Sequence, residues 1–418
     1  MTERAGPVVP QAIHELAHAV AARGGRTYLV GGGVRDHLMG MPVKDWDVEV
    51  FGIDPDDLRG ALRRRGAVNT VGRSFGVYKW KPEGSPRGGE AEIDVSVPRR
   101  DSKVGPGHKG IAVEGDPTMT IEEAAQRRDL TVNAMMWDLV SNELVDPYGG
   151  ARDLEAGVLR AVDRGTFLED PLRALRVVQF AARLGFPADD ALIALCREAP
   201  LDELPAERIQ GEWGKLLLKG RAIPLGLEVA RAAEIDVRAF PEAATLRNDA
   251  ALDRLSRGPR DALAPEGRQW AAMLGAWLAG ATPDAAAATL DRLGMHTVRG
   301  YPVRDRVLAA LAALDAPLDT DAALRHLSTR AELRLLLTVR AAVTDRDLGD
   351  VLARAEALGI AEDKPPALLL GRHLQQLGVR PGPHMGRLLA EVYQLQLDGA
   401  VSTPEEALAE AQRRLPPA

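Results

Sequence analysis

The alternation of apolar and polar positions divides the chain into two regimes. Between residues 26 and 98, short apolar runs separated by turn residues predict strands near 27–31, 46–51, 76–80 and 91–97, with a helix near 55–65. Ahead of them, residues 10–24 carry a helical period closed by glycine. Residues 99–120 are rich in Gly, Pro and charge and read as a long mobile loop, a length that is uncommon unless functional. The run 127–139 reads as a helix, and 143–154 as a strand, a turn and a helix start. From about residue 155 the strand signals fade. An amphipathic helix follows over 167–186, with Leu172, Leu175, Val178 and Phe180 on its apolar stripe and Gly185 at its end. A second covers 203–218, and Ala/Leu-rich helices without a clean repeat fill 225–345. Residues 371–399 read as a helix, a tight Pro/Gly turn and another helix. The pattern is that of an α+β protein: an N-terminal mixed sheet with helices over 1–150, then all-α segments at 151–222, 223–345 and 346–418.

Composition narrows the class. With 418 residues the chain exceeds one ordinary core, and 45% hydrophobic with 27% charged residues suits a soluble globular protein. A lone cysteine, Cys196 in an apolar run, excludes a disulfide framework or a cysteine zinc site and reads as a small buried hydrophobe. No basic-then-apolar leader and no apolar run of 18 residues are present, so the expected location is cytoplasmic, away from membranes. The net charge of −7 leaves nucleic-acid binding to a local basic surface.

Candidate chemistry concentrates in YLVGGGVRDHLMGMPVKDWDVEVFG, residues 28–52. Asp45 and Asp47 are two apart, a spacing that in a strand turns both carboxylates to one face. Like charges so placed repel, and a divalent cation removes the conflict; Mg²⁺ takes one or two carboxylates and fills its shell with water and phosphate oxygens. The upstream glycine turn and Arg35 supply exposed N–H groups and a cation for phosphates. The GGGVRD run has neither dinucleotide-binding nor P-loop spacing and alone fits a tight strand-to-helix turn; combined with Arg35 and the Asp45/Asp47 pair it reads as a phosphoryl-transfer site. Asp94, on a later strand, is either a third carboxylate or a solvated strand residue. Glu49 projects to the same face as Asp47 and is left without a role. In the 167–186 helix, Asp170 and Arg173 are three apart and Arg176 extends their face. A surface ion pair is the bland reading. The sharper one is a base reader, because a carboxylate beside a guanidinium matches the amine and ring nitrogen that adenine and cytosine share, and leaves guanine and uracil unpaired. His14 and His18, four apart with no third ligand nearby, read as helix-surface residues, and His384 with Arg387 mark either a phosphate contact or a plain helix connection.

YLVGGGVRD with KDWDVEVF, then RRDLTVNAM, DPYGGARDL, EDPLRALR and ERIQGEWGKLL, occur in the order found in class II nucleotidyltransferases, and the sequence resembles that family over about residues 25–220. The family includes CCA-adding tRNA nucleotidyltransferases and bacterial poly(A) polymerases; the C-terminal stretch looks like that of CCA-adding relatives. The resemblance implies head, neck, body and tail segments at the four ranges above, and Mg²⁺ on Asp45 and Asp47. It implies that Gly32, Arg35 and Arg128 contact the nucleotide, and that Asp170, Arg173 and Arg176 read base and phosphates. CTP and ATP would be the donors and the 3′ end of tRNA the acceptor, with no protein partner expected.

Two departures qualify this picture. Gln179 stands where many relatives carry a further arginine, and QWAAMLGAWLAG (269–280) has neither the His nor the Asp of a phosphohydrolase, so no such activity is expected. A full-length 100–120 loop argues against a CC-only product, since such relatives carry a shortened loop. An A-adding enzyme, a poly(A) polymerase and a non-catalytic RNA-binding scaffold remain as alternatives; the tail's mixed charge favours tRNA over unspecific RNA.

Overall fold

The computed structural model describes residues 5–70, 77–85, 92–103, 111–243, 247–258 and 263–415. The protein divides into two compact units, Met1–Glu212 with Leu225–Ala239 and Trp213–Pro224 with Phe240–Ala418.

The first unit is built on a seven-stranded mixed sheet. Its strands are β1 (Arg26–Val30), β2 (Asp47–Phe51), β3 (Gly66–Thr70), β4 (Val77–Pro82), β5 (Ile93–Ser96), β8 (Met136–Asp138) and β9 (Leu144–Val145), in the order β3-β4-β5-β2-β1-β8-β9. Only β2 and β5 run parallel; the other pairings are antiparallel. One face carries Leu29, Val48, Val50, Trp80, Val95 and Trp137 into a core closed by helices α1 (Gln11–Ala21) and α3 (Pro55–Arg63). α3 is started by Asp54, whose carboxylate accepts from Asp56 N, and by Pro55 in its first turn. Because side chains alternate along a strand, the opposite face receives Tyr28, Val30, Asp47, Glu49 and Asp94. The apolar members of that face pack with Met119, Ala124, Ala134 and Met136.

Three sequence expectations change here. The 99–120 segment is not simply a loop: β6 (Arg99–Lys103) and β7 (Ile111–Gly115) form an antiparallel hairpin, and the expectation for 104–110 lies outside the described residues. The 127–139 run is not a helix but a 3₁₀ turn at Thr131–Asn133 followed by β8. Its backbone is claimed from outside: Thr131 N donates to Arg160 O at 3.0 Å, and β8 completes the open edge of β1. Edge strand β3 escaped notice because Val68 is its one large apolar residue, leaving no apolar alternation to read.

Beyond the sheet come α5 (Gly150–Ala156), α6 (Arg164–Glu169), α7 (Leu172–Leu184), α8 (Asp190–Glu198) and α9 (Ala206–Lys219), after α2 (Gly32–Leu38) and α4 (Ile121–Gln126) within it. The helix expected over 167–186 is thus two, broken at Asp170-Pro171; α7 ends, as expected, at Gly185 with φ 74°. Cys196 is buried in α8, where loss of hydration pushes its thiol up to about 12.

The regular elements of the second unit's described residues are all helices, apart from an isolated Val298–Tyr301 bridge. Trp213, Phe240 and Trp277 form its aromatic centre, with ring centroids 4.6 to 5.4 Å apart. Trp277 lies on Glu266–Leu278, the helix that contains most of the 269–280 run, and is fully buried. Trp277→Ala should therefore cost about 3–5 kcal/mol, read by urea unfolding followed by far-UV circular dichroism. A loss below about 1 kcal/mol would mean that the aromatic trio is not the centre of this core. Near the end, Gly371–Gln376 and Pro383–Asp398 are the expected helix pair, with His384 and Arg387 exposed. No helix among the described residues is long and apolar enough to cross a membrane.

Candidate active site

The parallel register of β2 and β5 places Asp47 directly beside Asp94, and the antiparallel register of β4 and β5 places Lys79 beside Asp94. Lys79, Asp94 and Asp47 thus form a transverse row on one face of the sheet. The row one pleat on contains Val77, Ser96, Glu49 and Tyr28. Asp47 and Asp94 of the first row, and Val77, Ser96 and Glu49 of the second, line a cleft of ≈ 300 Å³ that also meets Val30, Arg99, Arg127 and Arg128. Asp45 precedes the strand at an exposed bend instead of lying within it, yet its charge still reaches Asp47.

Electrostatics mark Asp47 as the strained member. Lost hydration and, next, repulsion from Asp94 push its carboxyl above the usual range; Arg128 opposes the rise, while Asp45 and Glu49 add to it. Lys79 offsets part of the charge, with Nζ 2.7 Å from Glu92 and 3.3 Å from Asp94. The donor set is hard carboxylate oxygen, which suits a divalent cation of the Mg²⁺ type. No three or more His, Cys, Asp or Glu side chains close into a protein cage among the described residues. A cation here would take one or two carboxylates and complete its shell from water and phosphate, the mode Mg²⁺ favours.

Residues 127–129 join this cleft to α7. Arg127 O accepts from Arg173 Nη2 at 2.6 Å, Arg128 turns its guanidinium into the cleft, and Asp129 binds Arg176 Nε at 2.6 Å. Burial alone would raise the Asp129 carboxyl, but Arg176, Asn133 and the Leu130 N–H outweigh it and hold it below its ordinary value. Arg173 also donates to Thr166 O at 2.6 Å, which fixes its guanidinium across the break before α7. Asp170 occupies that break: Oδ1 accepts from Leu172 N at 3.1 Å and Oδ2 from Arg208 Nη2 at 3.4 Å. The surface Asp170–Arg173 ion pair, the bland reading of the spacing, does not form; α7 starts after Asp170, and each residue has other partners.

The glycine turn is set by Gly31, whose φ of 67° suits glycine and whose missing Cβ leaves room for Arg128 Nη1. Gly32 begins α2. Arg35 is 5% exposed and donates to Asp36 and, at 2.6 Å, to Asn133 Oδ1. It lies outside the cleft lining, against the Phe180 ring together with Arg176 and Arg183. The buried Gln179 accepts from Arg183 Nη1 at 3.2 Å, so a cation four residues on lies beside the position where an arginine is missing.

Residues 27–160 match the poly A polymerase head domain. Over that segment the protein is similar to class II nucleotidyltransferases. It is 42% identical over 201 residues to a multifunctional CCA protein of Aromatoleum aromaticum, a match that covers 46% of that protein and 47% of this chain. It is 41% identical over 203 residues to one of Stenotrophomonas maltophilia, 47% of each. The matched segment spans about half the length of these relatives. Its fold is that of the CCA-adding enzymes. A Bacillus stearothermophilus CCA-adding enzyme in complex with CTP superimposes with a TM-score of 0.70 at 23% identity, over 97% of both proteins. A Thermotoga maritima CCA-adding enzyme complexed with tRNA does so with a TM-score of 0.67 at 21% identity, over 97% of that enzyme and 99% of this chain.

Sequence reasoning named Asp47 and Arg128, which meet in the cleft, and Asp170, Arg173 and Arg176, which gather at the start of α7. It gave Asp129, Asn133 and Lys79 no role, and noted Glu49 on the Asp47 face without assigning it one. Asp129 was legible as the third of three successive charged residues before an apolar run. Lys79 meets Asp94 through strand register, and Glu49 meets Arg128 across 79 residues, which no local spacing displays.

Proposed function

We propose that this protein is a template-independent tRNA nucleotidyltransferase that adds CMP and AMP from CTP and ATP to the 3′ end of tRNA. The observation that carries the reading is Asp47 beside Asp94 in a basic-walled cleft, joined through residues 127–129 to Asp170, Arg173 and Arg176. Similarity to multifunctional CCA proteins supports tRNA as the acceptor, and a cytoplasmic setting follows from that acceptor.

Asp45 and Asp47 would hold Mg²⁺, with Asp94 as a third carboxylate at its edge. When bound, the cation neutralises the triphosphate and acidifies the attacking 3′-hydroxyl. The protein's own part is placement. Arg128 and the N–H groups at Gly32 take the phosphates, and Arg35, with its donors on Asp36 and Asn133, keeps that turn in shape. Asp170 accepts from the exocyclic amine of adenine or cytosine while Arg173 donates to the neighbouring ring nitrogen, and Arg176 keeps α7 tied to the cleft through Asp129. Breaking that largely buried pair by removing one partner would cost about 3–5 kcal/mol.

The test is incubation of the full-length protein with Mg²⁺ and tRNAs ending at the discriminator base, at C or at CC, supplied with CTP, ATP or both. Ordered addition of C, C and A is expected. Adenylation of the CC-ended tRNA alone would make the enzyme A-adding, and untemplated AMP runs on any RNA would make it a poly(A) polymerase. No incorporation into any of them would overturn the reading.

A further inference from the structure

Glu49 follows Asp47 by one pleat repeat on the same face of β2 and is 8% exposed, an unusual burial for a carboxylate. Its charged partner is Arg128, with Nη2 3.3 Å from Oε2. That guanidinium is held loosely otherwise: Nη1 is 3.5 Å from Asn133 O, and Nε is buried without a partner. Arg128 and Asp47 line the same cleft. One cation therefore shares the cleft with two carboxylates of one strand. Were it to settle on Asp47, it would neutralise the carboxylate assigned to the metal.

We infer that Glu49 is a positioning residue that captures Arg128, keeping the guanidinium off Asp47 and leaving its remaining donors toward the cleft. The inference rests on the assignment of a divalent cation to Asp47. Three roles for Glu49 separate cleanly. As a direct ligand, its loss would weaken metal binding whatever stands at 128. As a plain ion-pair member, its loss would lower stability and leave metal affinity alone. As a positioning residue, its loss would weaken metal binding only while Arg128 is present to move.

The experiment is Mn²⁺ titration of the full-length protein without nucleotide, read by the electron paramagnetic resonance signal of free Mn²⁺, with circular dichroism as the check on folding. Glu49→Gln should weaken Mn²⁺ binding about tenfold, as a cation a few ångströms from Asp47 would. The double variant Glu49→Gln/Arg128→Met should return to within about twofold of the parent. Unchanged affinity in the single variant, or no recovery in the double, would overturn the inference. Arg128→Met alone should bind Mn²⁺ at least as tightly as the parent, and weaker binding would also overturn it; this arm holds if Glu49→Gln fails to fold. Asp47→Asn serves as control for the assignment beneath: a parent whose Mn²⁺ binding ignores Asp47→Asn removes the metal reading and this inference with it.

Discussion

Asp47→Asn should lower nucleotide incorporation into tRNA by at least about 10³-fold, because cation stabilisation of the transferring phosphoryl group is worth several kcal/mol. The same variant should fold at least as well as the parent. Lost hydration, then Asp94, raise the Asp47 carboxyl above its unfolded value. A group shifted this way contributes stability fully below the unfolded value and loses it as pH rises through the folded one. At neutral pH the charge therefore works against folding, and the neutral amide relieves it. Thermal unfolding at pH 7 without metal should give an equal or higher midpoint for Asp47→Asn. Added Mg²⁺ should raise the parent's midpoint and not the variant's, since only a bound ligand stabilises by mass action. Incorporation within tenfold of the parent would remove Asp47 from the catalytic assignment.

Asp170→Ala should lower kcat/KM for both ATP and CTP about 10²-fold and narrow their advantage over GTP and UTP. If Asp170 accepts from the exocyclic amine as proposed, its removal costs a hydrogen bond to a charged group and leaves the base edge unpaired, about 1–3 kcal/mol. The capping bond to Leu172 N and the contact with Arg208 disappear together, so part of the effect is on α7 itself. Asp170→Asn separates the two, because its amide oxygen keeps an acceptor for Leu172 N while the amide adds a donor. Its stability should stay near that of the parent while base preference is lost. Retained discrimination in both variants would place base reading elsewhere.

Local spacing made the strands at 27–31 and 46–51, the helix after Pro55 and the α7 stripe closed by Gly185 legible, because each follows a period that its own residues set. The 127–139 run failed by the same logic. Its residues show a helical pattern locally, but its backbone donors and acceptors are taken by Arg160 and by the open edge of β1. Tertiary pairing overrode local preference. The i, i+3 rule likewise presumed one continuous helix through Asp170, whereas the break at Pro171 gives that carboxylate to Leu172 N and Arg208.

What the sequence determined by itself was the inventory of the site: two carboxylates after a glycine turn, Arg128 in the RRDLTVNAM stretch, and Asp170 and Arg173 three apart at the 167–186 helix. Those features are short-range and survive any arrangement of the rest. Tertiary structure alone decided which charges meet. Asp47 faces Asp94 because β2 and β5 are parallel in a particular register, and Lys79 joins them because β4 lies antiparallel beside β5. Arg128 reaches Glu49 past Gly31, which has no side chain in its path. Electrostatic interaction depends on distance through space, and residues 94, 79 and 128 are far from 47 in sequence, so their coupling exists only once the sheet has formed.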